Sequence, residues 1–161
     1  MDRRHPARPR AEAGRRLVGV GWREDARAEI EGLKPRYVSK YGWSPRVTEP
    51  EGEDLIDLIV TLRSKRLDGR LLALRLRYLP DWQVAGRREA FVAPQDPSRD
   101  GVEYWPPARE PGVRGVLPEH NPPSICLRGV WGYHSVLHTD KPMGDTTLLA
   151  FLLELQKVLD E

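Results

Sequence analysis

The sequence predicts an α+β fold, on the basis of two stretches with the periodicity of strands and one with that of a helix. In residues 54–78 apolar side chains occupy every second position of two consecutive runs, as in strands that bury one face. Asp68-Gly69 between the runs is typical of a hairpin turn. Near the end of the chain, apolar residues follow a helical period and form a stripe. The stripe consists of Leu148, Phe151, Leu152, Leu155 and Leu159.

The other predicted elements are shorter. Residues 25–31 read as a first helix that Gly32 and Pro35 limit. Residues 43–48 are a candidate edge strand, and residues 89–92 are a further short strand. Residues 80–123 hold nine prolines, which interrupt helices and central strands, so this part is expected to be mostly loop. Gly144-Asp145 offers a stop and an N-cap before the last helix.

Length and composition limit the number of domains and the expected location of the chain. A chain of 161 residues fits one domain, expected over residues 17–161. Residues 1–16 contain six arginines and are expected to form a disordered basic arm. No apolar run approaches the ~20 residues of a membrane helix, so no membrane is expected, and no nucleic-acid partner is expected either. The single cysteine excludes an internal disulfide and is compatible with a cytoplasmic location.

The segment 118–127 holds the candidate site, because it brings the only cysteine, Cys126, near His120 and Asn121. A thiolate is a strong nucleophile near neutral pH, and an Asn amide can donate to the oxyanion of acyl transfer. Two structural alternatives remain open. A lone cysteine is often a small buried hydrophobe, and Asn before Pro122 is a common turn former.

Two motifs carry a family resemblance. Ile125-Cys126-Leu127, after a His/Pro/Asn cluster and before Trp131 and an apolar helix, resembles the catalytic segment of ubiquitin-conjugating enzymes. The segment from Tyr78 to Trp82, Tyr-Leu-Pro-Asp-Trp, is similar to a motif that follows the third strand of that family. The resemblance covers residues 45–161 and implies a UBC-like antiparallel meander sheet between an N-terminal and a C-terminal helix. It further implies a divergent bacterial-type member, without the last helices of eukaryotic members and with relatives in antiviral defence operons.

The resemblance also implies an activity. Cys126 would accept a ubiquitin-like protein as a thioester from a ubiquitin-activating-like enzyme and pass it to a nucleophile on a target protein. No cofactor is expected, because the activating enzyme would use the ATP. Asn121 would stabilise the oxyanion, and His120 would brace the loop through a backbone hydrogen bond. The residues that would orient or deprotonate the incoming nucleophile are His134, His138 or Asp140.

The same residues are compatible with three other functions. A UBC-fold protein without catalysis would be an interaction module, and a Cys/His thiol hydrolase would pair Cys126 with His134 or His138. The same three side chains could bind zinc if the two histidines shared a helix face. Residues 131–134 do not look strongly helical, however, and no Cys-x-x-Cys motif is present, so no metal is expected.

Overall fold

The computed structural model describes residues 19–144 and 146–161, so the predicted arm at residues 1–16 lies outside the described part. The predicted α+β class is confirmed by a five-stranded antiparallel sheet with helices. The strands follow one another in sheet order β1-β2-β3-β4-β5. They are β1 (Ser44–Thr48), β2 (Ile56–Ser64), β3 (Arg70–Tyr78), β4 (Arg88–Ala93) and β5 (Asp96–Asp100).

The central pair of strands matches the period-two pattern. The apolar residues expected on one face are all buried: Ile56, Leu58, Val60, Leu62, Leu72, Leu74, Leu76 and Tyr78. A 3-10 turn, Lys65–Leu67, joins the two strands and ends at Asp68 and Gly69, whose φ angles are 54° and 76°. These positive φ values are the reason for the Asp-Gly pair, since both residue types tolerate the left-handed region.

Helices cover the inner face of the sheet. They are α1 (Trp22–Glu31), α2 (Pro35–Tyr41), the single turn α3 (Trp82–Ala85), a π-helix (Gly132–Leu137) and α4 (Leu148–Asp160). The predicted first helix therefore exists but begins at Trp22. The interpretation of Pro35 as a limit missed α2, where Pro35 occupies the first turn and its missing N–H costs nothing. Within the described residues no helix has the length and hydropathy needed to cross a membrane.

The last helix packs its predicted stripe into the core that it shares with β2, β3 and β4. Leu148, Phe151, Leu152, Leu155 and Leu159 are all buried. The expected N-cap Asp145 lies outside the described residues. The hydroxyl of Thr147 caps the helix by accepting from the N–H of Ala150 at 3.1 Å.

The proline-rich part, residues 80–123, holds α3, β4 and β5, and after β5 it is mostly loop with one 3-10 turn, Val102–Tyr104, and one short strand, β6 (Val116–Leu117). β6 pairs with β7 (Ser124–Ile125) in a separate two-stranded sheet. Strand β5 at Asp96–Asp100 was not predicted, because its sequence is polar and contains a proline. Strand β7 ends one residue before Cys126, so the small sheet presents the cysteine at a strand end.

Candidate active site

Cys126 lies at the wall of a surface cavity. The hydrogen bond from its N–H to the carbonyl of Gly115, at 2.7 Å, extends the pairing of β6 and β7 by one residue and holds the backbone. The side chain is partly exposed and lines a cavity of about 580 Å³ with Tyr133, Met143 and Phe151. A thiol held at an accessible strand end can meet a substrate, whereas a fully buried one cannot.

His138 is the imidazole that pairs with this thiol. Its Nε2 lies 3.7 Å from the Sγ of Cys126, within the range of a hydrogen bond to sulfur. The π-helix sets this position, because the N–H of His138 donates to the carbonyl of Tyr133, five residues earlier, at 2.7 Å. The Tyr133 ring then packs on the imidazole with ring centroids 4.5 Å apart. The geometry lets His138 take the thiol proton or stabilise the thiolate.

His134 is engaged elsewhere, which argues against the catalytic role predicted for it. Its Nε2 accepts from the N–H of Gly129 at 2.9 Å, and its Nδ1 contacts the carbonyl of Lys141 at 2.7 Å. A carbonyl only accepts, so Nδ1 carries the proton and both ring nitrogens are occupied. The buried ring of His134 therefore ties the loop after Cys126 to the segment after the π-helix.

The other predicted site residues lie on exposed loops. His120 donates its backbone N–H to the carbonyl of Leu117 at 3.3 Å, but within the described residues its imidazole makes no hydrogen bond, so the predicted bracing by the ring is absent. Asn121 is exposed, three positions before β7. Asp140 is exposed in the turn that the N–H of Lys141 closes onto the carbonyl of His138, at 3.0 Å. Asp140 is therefore two residues after His138, and its side chain is exposed to solvent.

Residues 131–134 do not look strongly helical in sequence, whereas the structure has Trp131 as the N-cap and Gly132 as the first residue of the π-helix. That helix nevertheless separates the roles of His134 and His138, and only His138 contacts Cys126. Within residues 19–144 and 146–161 no group of three His, Cys, Asp or Glu side chains could hold a metal ion.

The site also contains Glu89, which the sequence interpretation missed. Its carboxyl accepts from the N–H of Gly132 at 2.9 Å and from that of Ile125 at 3.4 Å. Burial raises the pKa of Glu89 to about 8, and the backbone donors only partly oppose this effect. The available signal was the strand period, which puts Glu89 and Phe91 on one face of β4 and Arg87, just before the strand, in line with them.

The side chain of Arg87 is fully buried and holds the loop after Cys126 through hydrogen bonds. It donates to the carbonyls of Gly129 at 2.6 Å and Thr146 at 3.2 Å. It also forms a bidentate ion pair with Glu29 of α1, whose carboxylate accepts from Leu148 N–H at 2.9 Å. One buried guanidinium thus joins α1, the cysteine loop and the start of α4, and its charge is compensated by the pair.

Comparison with known proteins finds no match to a family model, a curated protein or a solved structure. The contact between Cys126 and His138 is therefore the main indication of what the chain does.

Proposed function

We propose that the protein is a ubiquitin-conjugating-like carrier that holds the acyl group of a ubiquitin-like protein on Cys126. The observation that carries the proposal is the 3.7 Å contact between the Cys126 thiol and the His138 imidazole beside an open cavity. The order of elements adds support, because helix, meander sheet, cysteine loop and final helix follow one another as the resemblance to conjugating enzymes implies.

The loading step is a transthiolation. The Cys126 thiol gives its proton to Nε2 of His138, and the thiolate attacks the carbonyl carbon of the thioester on the activating enzyme. A new carbon–sulfur bond forms, the bond to the thiol of the activating enzyme breaks, and that thiol leaves with a proton. No cofactor takes part in this exchange. A cytoplasmic location would keep the thiol reduced.

The release step is attack by an amine or another nucleophile of the target protein on the loaded thioester. Asn121 on the loop before β7 is proposed to donate to the oxyanion. His138, which begins the turn after the π-helix, and Asp140, within that turn, are the groups proposed to orient or deprotonate the nucleophile. Arg128 and Glu154 add one charge of each sign to the mostly apolar wall of the cavity. Such a wall could hold the C-terminal residues of the ubiquitin-like protein, whose backbone is polar.

A direct test uses the activating enzyme, ATP and the ubiquitin-like protein, followed by non-reducing electrophoresis. The expected product is a thiol-sensitive adduct that Cys126→Ser abolishes or replaces with a stable ester. A second probe, a peptide arylthioester ending in Gly-Gly, needs no partner protein and is read by intact mass spectrometry. Absence of an adduct at Cys126 with a fully charged activating enzyme contradicts the carrier and leaves the interaction module as the better proposal.

A thiol hydrolase is the second candidate, and the same contact between Cys126 and His138 favours it. Such enzymes commonly orient the imidazole with a third group, whereas among the described residues the ring of His138 hydrogen-bonds to Cys126 alone. The arylthioester probe separates the two functions. A carrier holds the acyl group until an amine is added, while a hydrolase releases free acid over many turnovers in buffer alone.

A further inference from the structure

We infer that Glu89 is a positioning residue, which sets the separation of Cys126 and His138 through its two backbone hydrogen bonds. The inference deepens the proposed function, because it takes Cys126 as the reactive thiol. Glu89 is not expected to touch the substrate. It acts on the two segments that carry the reactive pair.

The contacts of the Glu89 carboxyl lie on both sides of that pair. One oxygen accepts from Gly132, the first residue of the π-helix, at 2.9 Å, and His138 follows directly after the end of this helix. The other accepts from Ile125, the residue before Cys126, at 3.4 Å. The two acceptors belong to one rigid planar group, so the carboxylate links the backbone of Ile125, next to the cysteine, to the start of the helix that leads to His138.

The packing at Gly132 shows how closely the π-helix approaches Glu89 and β7. A Cβ at Gly132 would lie 2.8 Å from Oε2 of Glu89 and 2.9 Å from Cβ of Ser124. Both distances are shorter than ordinary van der Waals contact, so glycine is required for the helix to approach the carboxyl and β7 together. A side chain here must displace the Glu89 carboxyl, Ser124 or the π-helix, and each of these shifts disturbs the link between the two segments.

Glu89 can accept both hydrogen bonds fully only when its carboxyl is ionised. A carboxylate accepts at both oxygens, but a protonated carboxyl presents a hydroxyl donor to one of the two N–H groups. The raised pKa of Glu89, about 8, has burial as its main cause, so both forms exist near neutral pH. Of the charged or titratable groups on the elements packed around it, Arg88 on its own strand lowers the pKa. Arg87 precedes β4 and is paired with Glu29, Arg75 and Arg77 lie on the neighbouring β3, Cys126 follows β7, and Tyr133 and His134 are on the π-helix.

The experiment compares the alkylation of Cys126 by iodoacetamide in the full chain and in Glu89→Gln, from pH 6 to pH 9. Gln is the neutral isostere, so the two rates are expected to coincide near pH 6. Above pH 8 the wild-type rate is expected to be about tenfold higher, the size of one charge-assisted buried hydrogen bond. The ratio should be halfway through its rise near the pKa of Glu89, about 8. Groups common to both chains cancel in this ratio.

A ratio that is one throughout, or constant above one, overturns the inference, because a merely structural defect has no step with pH. The exposed Glu103→Gln is the matched acid-to-amide control and should follow the wild type at every pH. If Glu89→Gln does not fold, Gly132→Ala tests the contact between Glu89 and the π-helix without changing a charge. An unchanged alkylation rate in Gly132→Ala overturns the inference. Alkylation needs no ubiquitin-like protein, so this test can fail while the carrier function stands, and the reverse also holds.

Discussion

The reactivity of a single thiol depends on which imidazole reaches it, and this leads to a prediction about His138. Replacing His138 by Gln keeps a polar side chain near the thiol, which is 3.7 Å from the ring in the wild type, but removes the proton acceptor. We expect the rate of Cys126 alkylation by iodoacetamide at pH 7 to fall by about tenfold, because the group that accepts the thiol proton during the attack is gone. The measurement is the second-order rate, followed by intact mass spectrometry.

His120→Gln is the matched control for this rate, since the exposed ring of His120 makes no hydrogen bond within the described residues. Its alkylation rate should stay within about twofold of the wild type, the scatter expected of a surface change. Equal rates in the two variants would show that His138 does not activate the thiol.

The two histidines also show what sequence alone can predict at the scale of the residue. His134 and His138 are four residues apart, and both were candidates to assist Cys126. Sequence spacing could not separate them, because the choice depends on the carbonyl of Lys141 and the N–H of Gly129 that occupy the ring of His134. Cys126 itself could be singled out, because it is the only thiol of the chain.

At the scale of the element, the start of β4 depends on a close crossing at Gly86, where φ is 94°. A Cβ at this position would lie 2.6 Å from the backbone carbon of Val130, and the backbone there belongs to the segment that leads from Cys126 to the π-helix. We expect Gly86→Ala to lower the free energy of unfolding by about 3 kcal/mol, from strained φ and overpacking combined. Chemical denaturation measures it.

Gly52→Ala separates these two causes. Gly52 has a φ of 75°, and an added Cβ would meet nothing within 4 Å. Only the conformational cost of about 1 kcal/mol should therefore appear. If the two variants lose equal stability, the crossing of Gly86 with Val130 contributes nothing, and the tight packing inferred there is wrong.

Elements with strong periodicity were predictable and weakly patterned ones were not. β2, β3 and α4 each bury a long apolar face. Burial of that face stabilises the element, and its residues can be recognised from the local sequence. α2 and β5 bury no such face, and the π-helix forms because its residues meet β7 and β4. For these elements the deciding contacts are made with distant parts of the chain, and local patterns do not contain them.

At the scale of the whole molecule, the site is assembled from segments that are far apart in sequence. The Glu89 carboxyl meets backbone groups 36 and 43 residues later, and Arg87 meets Glu29 of α1, 58 residues earlier. Arg87, just before β4, and Glu89, on β4, thus place one basic and one acidic side chain next to the cysteine loop. Arg87 has a carboxylate partner in Glu29, whereas Glu89 has mainly backbone donors, so the cost of desolvating its anion is less fully compensated.

That cost predicts how stability depends on pH. Because burial raises the pKa of Glu89 from 4.5 to about 8, the folded chain retains this proton between these values while the unfolded chain has released it. The folded state then binds more protons, so the free energy of unfolding falls as pH rises through this window and levels above about pH 8. In Glu89→Gln this contribution is absent.

We therefore expect the wild type to lose stability relative to Glu89→Gln between pH 5 and pH 8, measured by urea denaturation at each pH. The full linkage is about 1.4 kcal/mol per pH unit, and partial exposure of the side chain reduces it, so the relative loss should be roughly 2 kcal/mol. The lowered pKa values of Glu49 and Asp96 act at lower pH and are common to both chains. A constant difference between the two chains would mean that Glu89 titrates alike in the folded and unfolded states. The carboxyl would then be well solvated, and ionising it would neither cost stability nor tighten the link between Cys126 and His138.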